Sequence, residues 1–199
     1  METHTGRYLA EASAIIAQLD HAEIEHVAEL LVALRERGGR LFVIGVGGGA
    51  GHASHAVADF RKIAQIEAYA PSDNISELTA RANDEGWETV YTGWLKGSRL
   101  GKQDLVLVFS VGGGDLDRGI STNLVSAVDH ARSVGAGVIG VVGRDGGHTA
   151  RHADACVIIP TVNPEHVTVH TESFQAMMWH LLVSHPQLRT NEMKWESSR

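Results

Sequence analysis

The apolar residues of this chain follow two periods, one typical of helices and one typical of buried strands. Over residues 9–37 they recur every three or four positions, as in a helix that buries one face. This pattern predicts one long helix, or two helices joined near Asp20, ending at Gly38 and Gly39. Five short apolar runs rich in β-branched residues predict buried strands, at residues 40–47, 66–71, 104–110, 137–143 and 155–160.

Helical patterns separate these strands, at residues 52–64, 74–82, 87–99, 118–134 and 165–184. Strands that alternate with helices and are apolar on both faces predict a parallel sheet covered on both sides. We therefore predict an α/β fold, a doubly wound five-stranded parallel sheet with an N-terminal helical arm. No repeat or composition shift marks an internal boundary, so residues 1–199 are predicted to be a single domain. Its predicted parts are an arm at 1–38, an α/β core at 39–188 and a tail at 189–199.

Composition and charge restrict the class of protein and its partners. The chain is 43% hydrophobic and 21% charged, which is ordinary for a globular protein. A net charge of −7 argues against binding nucleic acid through a general basic surface. The N-terminus lacks the apolar segment of a signal peptide, and no apolar run approaches the ~20 residues that span a bilayer. We expect a cytoplasmic protein with no nucleic-acid or membrane partner.

Glycine-rich segments follow two of the predicted strands. The first, GVGGGA at 45–50, satisfies the pattern G-x-G-x-x-A of dinucleotide sites, but no acidic residue is well placed after the second strand to bind a ribose. The second, VGGGD at 111–115, follows Ser110. Parallel sheets bind ligands at the carboxyl ends of their strands, where two such loops can hold a compact anion with N–H groups. A sugar phosphate is thus favoured over a dinucleotide, with two tight turns that bind nothing as the remaining alternative.

Histidines and carboxylates occur at helical spacing on two of the predicted helices. His55 and Asp59 are four residues apart and share one helix face. Glu172 and His180 are two turns apart on the last helix, where His180 lies within an apolar run. Two histidines and two carboxylates suit zinc or a similar divalent ion. The alternative is a surface pair on one helix and a core histidine on the other.

Together these segments resemble the sugar isomerase (SIS) domain of the phosphoheptose isomerase family. The similarity covers nearly the whole chain and rests on HAVADF after the first loop, on ANDEGW, FSVGGGD and GVIGVVGRDGG, and on the last helix. It implies the SIS fold and a homotetramer with active sites at subunit contacts, the helical arm lying in the interface. It also implies metal-assisted conversion of D-sedoheptulose 7-phosphate to a D-glycero-D-manno-heptose 7-phosphate through an enediol, in heptose biosynthesis.

The resemblance also implies roles for individual residues. Zn²⁺, or another divalent metal, would be bound by His55, Asp59, Glu172 and His180. Catalysis would use Asp59, Glu172 and His180. The sugar phosphate would contact Gly47, Gly48, Gly49, Asp84, Ser110, Val111, Gly112 and Asp115. Asp59 and Glu172 stand where the family has Glu and Gln, so the predicted ligand set carries one more negative charge.

The two loops depart from the family's pattern. Val46 and Gly49 replace an Asn and a Ser, and the second loop lacks most of the hydroxyl groups that would bind a phosphate. Asp115 would repel such a group, and Arg61 or Lys62 would compensate only in part. Two alternatives follow: a non-catalytic SIS module that binds a sugar phosphate as a regulator, and an isomerase for a different sugar.

Overall fold

Five parallel strands form one sheet in the order β2–β1–β3–β4–β5, which confirms the predicted α/β fold. The computed structural model describes residues 3–192. The strands are β1 (Arg40–Gly45), β2 (Glu67–Tyr69), β3 (Leu105–Ser110), β4 (Gly137–Val142) and β5 (Ala155–Ile158). The helices are α1 (His4–Gln18), α2 (His21–Glu36), α3 (Gly48–Lys62), α4 (Ile75–Asp84), α5 (Val90–Gly97), α6 (Thr122–Ser133), α7 (Gly147–His152) and α8 (Val167–Ser184).

Successive residues of each central strand belong to two different hydrophobic cores. In β1, Leu41 and Val43 pack with α2, α3 and α8, whereas Phe42 and Ile44 pack with α5 and α6. The strands are continuously apolar because both faces of the sheet are covered in this way. No helix in residues 3–192 has the length and apolar character needed to cross a membrane.

The helical arm consists of two helices, as one of the two sequence alternatives predicted. The first ends at Gln18 and Asp20 caps the second, since the Asp20 carboxylate accepts a hydrogen bond from the Glu23 N–H at 3.1 Å. Ile15 of α1 and Leu31 of α2 are fully buried in the core that includes α8. The arm therefore packs on the same protomer. Its predicted place in an oligomer interface stays a prediction.

Other boundaries differ from those predicted. Helix α3 begins at Gly48 rather than at residue 52, because the glycines themselves form its first turn. Helix α7 was not predicted, since Gly146 and Gly147 are typical of a turn and indeed adopt positive φ angles of 81° and 52°. Of the predicted tail at 189–199, residues 193–199 lie outside the described part of the chain.

A group of polar side chains fastens α1 to the start of α8. The carboxylate of Glu11 accepts hydrogen bonds from His166 Nδ1 at 2.7 Å and from His170 Nε2 at 2.9 Å. Its other oxygen accepts one from the Asn163 side-chain amide at 2.7 Å. These bonds, led by the one from His166, lower the pKa of Glu11 from 4.5 to about 2.

Replacing Glu11 with Gln should therefore destabilise the protein in a pH-dependent way. Because the folded pKa lies below the ordinary one, ionised Glu11 stabilises the fold above pH 4.5, and this contribution disappears as the pH falls towards 2. Denaturant titrations at pH 7, 4.5 and 3 measure the free energy of unfolding. The difference in this free energy between wild type and Glu11→Gln should become smaller as the pH falls. Glu29→Gln, on the exposed side of α2, is the matched control. A difference in unfolding free energy that stays constant with pH would contradict the stabilising role of ionised Glu11.

Candidate functional site

Three of the four predicted metal ligands meet where α3 packs beside α8. His55 and Asp59 share a face of α3, and His180 faces them from α8. His55 Nε2 and His180 Nε2 each lie 3.5 Å from Asp59 Oδ2. The carboxylate is buried, whereas the side chains of His55 and His180 are 58% and 46% exposed. The group is thus a buried anion with two imidazoles that solvent or a ligand can reach.

Trp179 positions this carboxylate. Its indole Nε1 donates a hydrogen bond to Asp59 Oδ2 at 3.2 Å, and the indole ring is itself buried. The rings of His52, His55 and His180 surround it, with centroids 5.0, 5.3 and 4.9 Å from the indole centroid. Sequence reasoning had treated Trp179 only as part of an apolar run. A tryptophan one residue before a candidate ligand is not part of any sequence motif. Only the packing of the helices reveals that it binds the Asp59 carboxylate.

The spacing of the donor atoms fits a divalent cation. Ligand atoms 2.0–2.2 Å from one ion lie about 3.3 Å from each other, and the two histidine–carboxylate distances here are 3.5 Å. Two further groups within residues 3–192 combine histidines and carboxylates, one around Glu11 and one around Asp129. Both are closed by shorter contacts, 2.7 Å from Glu11 to His166 and 2.6 Å from Asp129 to His148. Those distances are ordinary hydrogen bonds, so the group on α3 and α8 is the better metal centre.

Glu172, the fourth predicted ligand, is not brought into this group. It lies eight residues before His180, about 12 Å along the helix axis, so both side chains would have to lean towards each other to share an ion. Its carboxylate instead lies against Gly48, where a Cβ atom would be only 2.5 Å from the carboxyl carbon. His52 lies beside it, and burial lowers the pKa of that imidazole despite the nearby carboxylate.

A cavity of about 390 Å³ opens at the carboxyl ends of β1, β3 and β4. Four residues predicted to bind substrate line it, namely Ser110, Val111, Gly112 and Asp115. The other lining residues are Val46, Gly114, Arg118, Ile120, Ser121, Arg144, Asp145, Gly147, Arg151 and Thr168. The position agrees with the rule that open parallel sheets bind ligands at this edge.

Two glycines of the first loop, Gly45 and Gly49, pack against protein backbone. A Cβ on Gly49 would lie 2.5 Å from the carbonyl oxygen of Phe109, and one on Gly45 would lie 2.4 Å from the backbone of Gly49. Of this loop only Val46 lines the cavity, and the predicted contacts of Gly47, Gly48 and Gly49 with substrate stay a prediction. The glycines allow α3 to approach β1 and β3 closely.

Asp84 and Arg61 lie away from this cavity. Asp84 is exposed at the end of α4, where it accepts a hydrogen bond from the Asn83 amide at 2.7 Å, and it does not line the cavity. Arg61 donates to the carbonyl oxygen of Ala68 at 3.0 Å and lies over the Tyr69 ring, so it does not support an anion at the loops. Asp84 lies within ANDEGW and Arg61 directly follows HAVADF, and the predicted contact of Asp84 with substrate stays a prediction.

Three arginines in the cavity wall were missed by the sequence analysis. Arg118, Arg144 and Arg151 follow the carboxyl ends of β3 and β4 along the chain. The available signal was positional, because basic residues soon after a parallel strand lie at the edge where ligands bind. The segment GRDGG was noted for its resemblance to the family, but its arginine, Arg144, was not predicted to bind substrate.

The sequence matches a known protein family and curated relatives. Residues 7–143 match the SIS domain family. A phosphoheptose isomerase of Roseiflexus sp. (strain RS-1) is 33% identical over 154 residues, which cover 72% of this chain and 74% of that protein. The lincomycin biosynthesis protein LmbN of Streptomyces lincolnensis is 31% identical over 184 residues, covering 87% of this chain and 65% of that protein.

Solved structures share the fold. The phosphoheptose isomerase GmhA from Neisseria gonorrhoeae superposes with a TM-score of 0.77 at 24% identity, covering 90% of this chain and 95% of that one. A phosphoheptose isomerase from Francisella tularensis gives a TM-score of 0.78 at 21% identity, with coverage of 90% and 94%.

Proposed function

Because this chain belongs to the SIS domain family and, within it, to the phosphoheptose isomerases, we propose that it converts D-sedoheptulose 7-phosphate to D-glycero-D-manno-heptose 7-phosphate. The chain is an isomerase of the aldose–ketose type. The observation that carries the specific reaction is the group of His55, Asp59 and His180, a buried carboxylate between two accessible imidazoles. Such a group is able to bind a metal ion or transfer a proton, which favours an enzyme over a module that only binds a sugar.

The reaction moves one hydrogen between neighbouring carbons. A base removes a proton from C1 of the ketose, the electrons form the C1–C2 double bond of an enediol, and a proton is then added at C2. The hydroxyl proton on O1 is lost and the oxygen on C2 is protonated, so that atoms and charge balance. We assign the base to Asp59, with Glu172 as the alternative, and the proton transfer between the oxygens to His180.

The surroundings of Asp59 suit a base. The carboxylate is buried, so it is shielded from water, and the Trp179 indole fixes one of its oxygens by a hydrogen bond of 3.2 Å. A fixed carboxylate needs no reorganisation when the proton is transferred. The His180 ring is 46% exposed and stands 3.5 Å from the same oxygen, so it is able to reach both substrate and base.

A divalent ion such as Zn²⁺ would be held by His55, Asp59 and His180, and when bound it would polarise the substrate carbonyl and stabilise negative charge on the enediolate. Purified protein should contain about one divalent ion per chain. His55→Ala should lose that ion, since it removes one of three donors, and metal analysis by mass spectrometry measures this. His21→Ala, an exposed histidine on α2, should retain it. Full metal content in His55→Ala would contradict the site.

We also propose that the active site is completed at a contact between subunits of a homotetramer. Met177 and Leu181 flank His180 on α8, and both are exposed apolar side chains, at 41% and 37%. Leu9 and Ile16 expose apolar surface on α1 in the same way. Such surface next to a half-exposed site favours burial by another copy of the chain. Light scattering coupled to gel filtration gives the oligomeric state.

A second candidate is an isomerase for a different sugar. The crowded first loop favours it, because Gly49 faces the Phe109 carbonyl oxygen and leaves no room for the serine of the family's pattern. The similarity to a lincomycin biosynthesis protein also supports a substrate outside the common heptose pathway. An isomerisation assay over C5 to C7 ketose phosphates, with divalent metal added, separates the candidates. Turnover of sedoheptulose 7-phosphate supports the first, turnover of another ketose phosphate supports the second, and turnover of none favours a non-catalytic regulator.

A further inference from the structure

We propose that the anionic group of the substrate is bound in the cavity by the guanidinium groups of Arg144 and Arg151, with Arg118 at the rim, and not by the first glycine loop. The proposal rests on the proposed function for its substrate class, a phosphorylated ketose. It assigns the binding of the phosphate to arginine side chains that replace the hydroxyl groups missing from both loops.

The first glycine loop already holds an anion of the protein itself. The Glu172 carboxylate lies at the first turn of α3, where both of its oxygens would be within 2.6 Å of a Cβ on Gly48. The N-terminus of a helix attracts negative charge, and here that place is taken by a side chain of α8. A phosphate at the same point would meet a like charge at close range.

The second loop is held against α7 by hydrogen bonds that its carbonyl oxygens accept. Ser110 Oγ accepts a hydrogen bond from the Gly113 N–H at 3.0 Å, and the loop lies directly against α7. There the N–H groups of Thr149 and His148 donate to the carbonyl oxygens of Gly113 and Gly114, both at 2.9 Å. The glycines therefore serve the contact between two loops. The cavity wall offers further donors for a bound phosphate.

The arginines supply those donors and the charge. Arg118, Arg144 and Arg151 bring three positive charges to the wall against the two negative charges of Asp115 and Asp145, a local balance of +1 on a chain of −7. Both carboxylates are occupied locally, since Asp115 accepts from the Arg118 N–H at 3.1 Å and Asp145 from the Gly147 N–H at 3.2 Å. The guanidinium groups of Arg144 and Arg151 make no ion pair within residues 3–192.

Arg144 is placed for this role by its backbone. It adopts a φ of 55°, a left-handed conformation that arginine rarely takes. Gly112 lies under its aliphatic stem, since a Cβ there would be 3.7 Å from Arg144 Cδ. The side chain thus lies over the loop that follows β3, and its planar fork of donors matches the oxygens of a phosphate.

The test uses the full chain, with inorganic phosphate as the probe in isothermal titration calorimetry. The variants Arg144→Gln and Arg151→Gln should each weaken phosphate binding about tenfold or more, because each removes a charge-assisted hydrogen bond. Arg144→Lys should recover part of the loss, since it keeps the charge but not the fork. Arg99→Gln makes the same charge change at the opposite edge of the sheet, before β3, and should bind phosphate as the wild type does.

Kinetics separate this proposal from the proposed function. In the isomerisation assay Arg144→Gln should raise KM for the phosphorylated ketose about tenfold with kcat largely retained. Weakened phosphate binding in a chain that isomerises no ketose phosphate would support the arginine site and overturn the proposed function. Unchanged phosphate affinity in both Gln variants, or no phosphate binding by the wild type, would overturn the arginine site whatever the activity.

Discussion

His180→Ala should lower kcat for isomerisation by about 10³-fold, within the range typical of a lost general acid or base, and leave the fold intact. The imidazole lies 3.5 Å from the Asp59 carboxylate and is half-exposed, so it is able to contact both that carboxylate and a bound sugar. Its side chain is 46% exposed, so truncation creates no buried cavity. The measurement is steady-state turnover of the ketose phosphate, with circular dichroism to verify the fold.

The matched control is His21→Ala, which removes an exposed histidine far along the chain on α2. It should change kcat by less than about twofold, as expected of a surface substitution. Turnover by His180→Ala close to that of the wild type would overturn both the catalytic role of His180 and the location of the active site on α3 and α8. Lost turnover together with a lost fold would call for His180→Gln, which keeps a polar side chain of similar reach.

Gly113→Ala should destabilise the protein by about 3 kcal/mol or more, from a strained backbone and from a steric clash. Gly113 adopts a φ of 69°, and a Cβ there would lie 1.9 Å from the carbonyl oxygen of Gly146. That oxygen is backbone, held in the turn that leads into α7, so it has little freedom to move. Urea denaturation at neutral pH measures the free energy of unfolding.

Gly112→Ala is the control, because the neighbouring glycine has room for a methyl group. The nearest atom to its Cβ would be Arg144 Cδ at 3.7 Å, an ordinary van der Waals contact. Its stability should stay within about 1 kcal/mol of the wild type. Equal effects of the two substitutions would contradict the conclusion that the second glycine loop is built for contact with α7.

The two glycine loops show which structural features a sequence pattern predicts and which it does not. Strand, glycines and helix were each predicted at nearly the right positions, and the cavity does lie at the carboxyl ends of the strands. What the glycines contact was not predictable, since Gly49 meets a carbonyl oxygen of β3 and Gly48 meets a carboxylate of α8. Both partners are at least sixty residues away in the sequence. A glycine indicates that another group approaches the backbone closely, but it does not identify that group.

At the candidate metal centre, too, the sequence predicted part of the arrangement and the packing of the helices decided the rest. The spacing of His55 and Asp59 put both on one helix face, and the structure has them so. Their meeting with His180 depends on α3 and α8 packing side by side, which the resemblance implied and helical periodicity alone did not. Glu172 departs from that expectation because its side chain has a closer place, against Gly48 at the start of α3.

By itself the sequence determined the order of helices and strands, the parallel sheet and the family, because these depend on local periodicity and on segments read along the chain. The tertiary structure decided which polar groups share a site. It placed Trp179 on Asp59, Glu172 on the first glycine loop and three arginines around the cavity. Such contacts join residues distant in sequence, and their partners are set by how helices pack and where each side chain finds room.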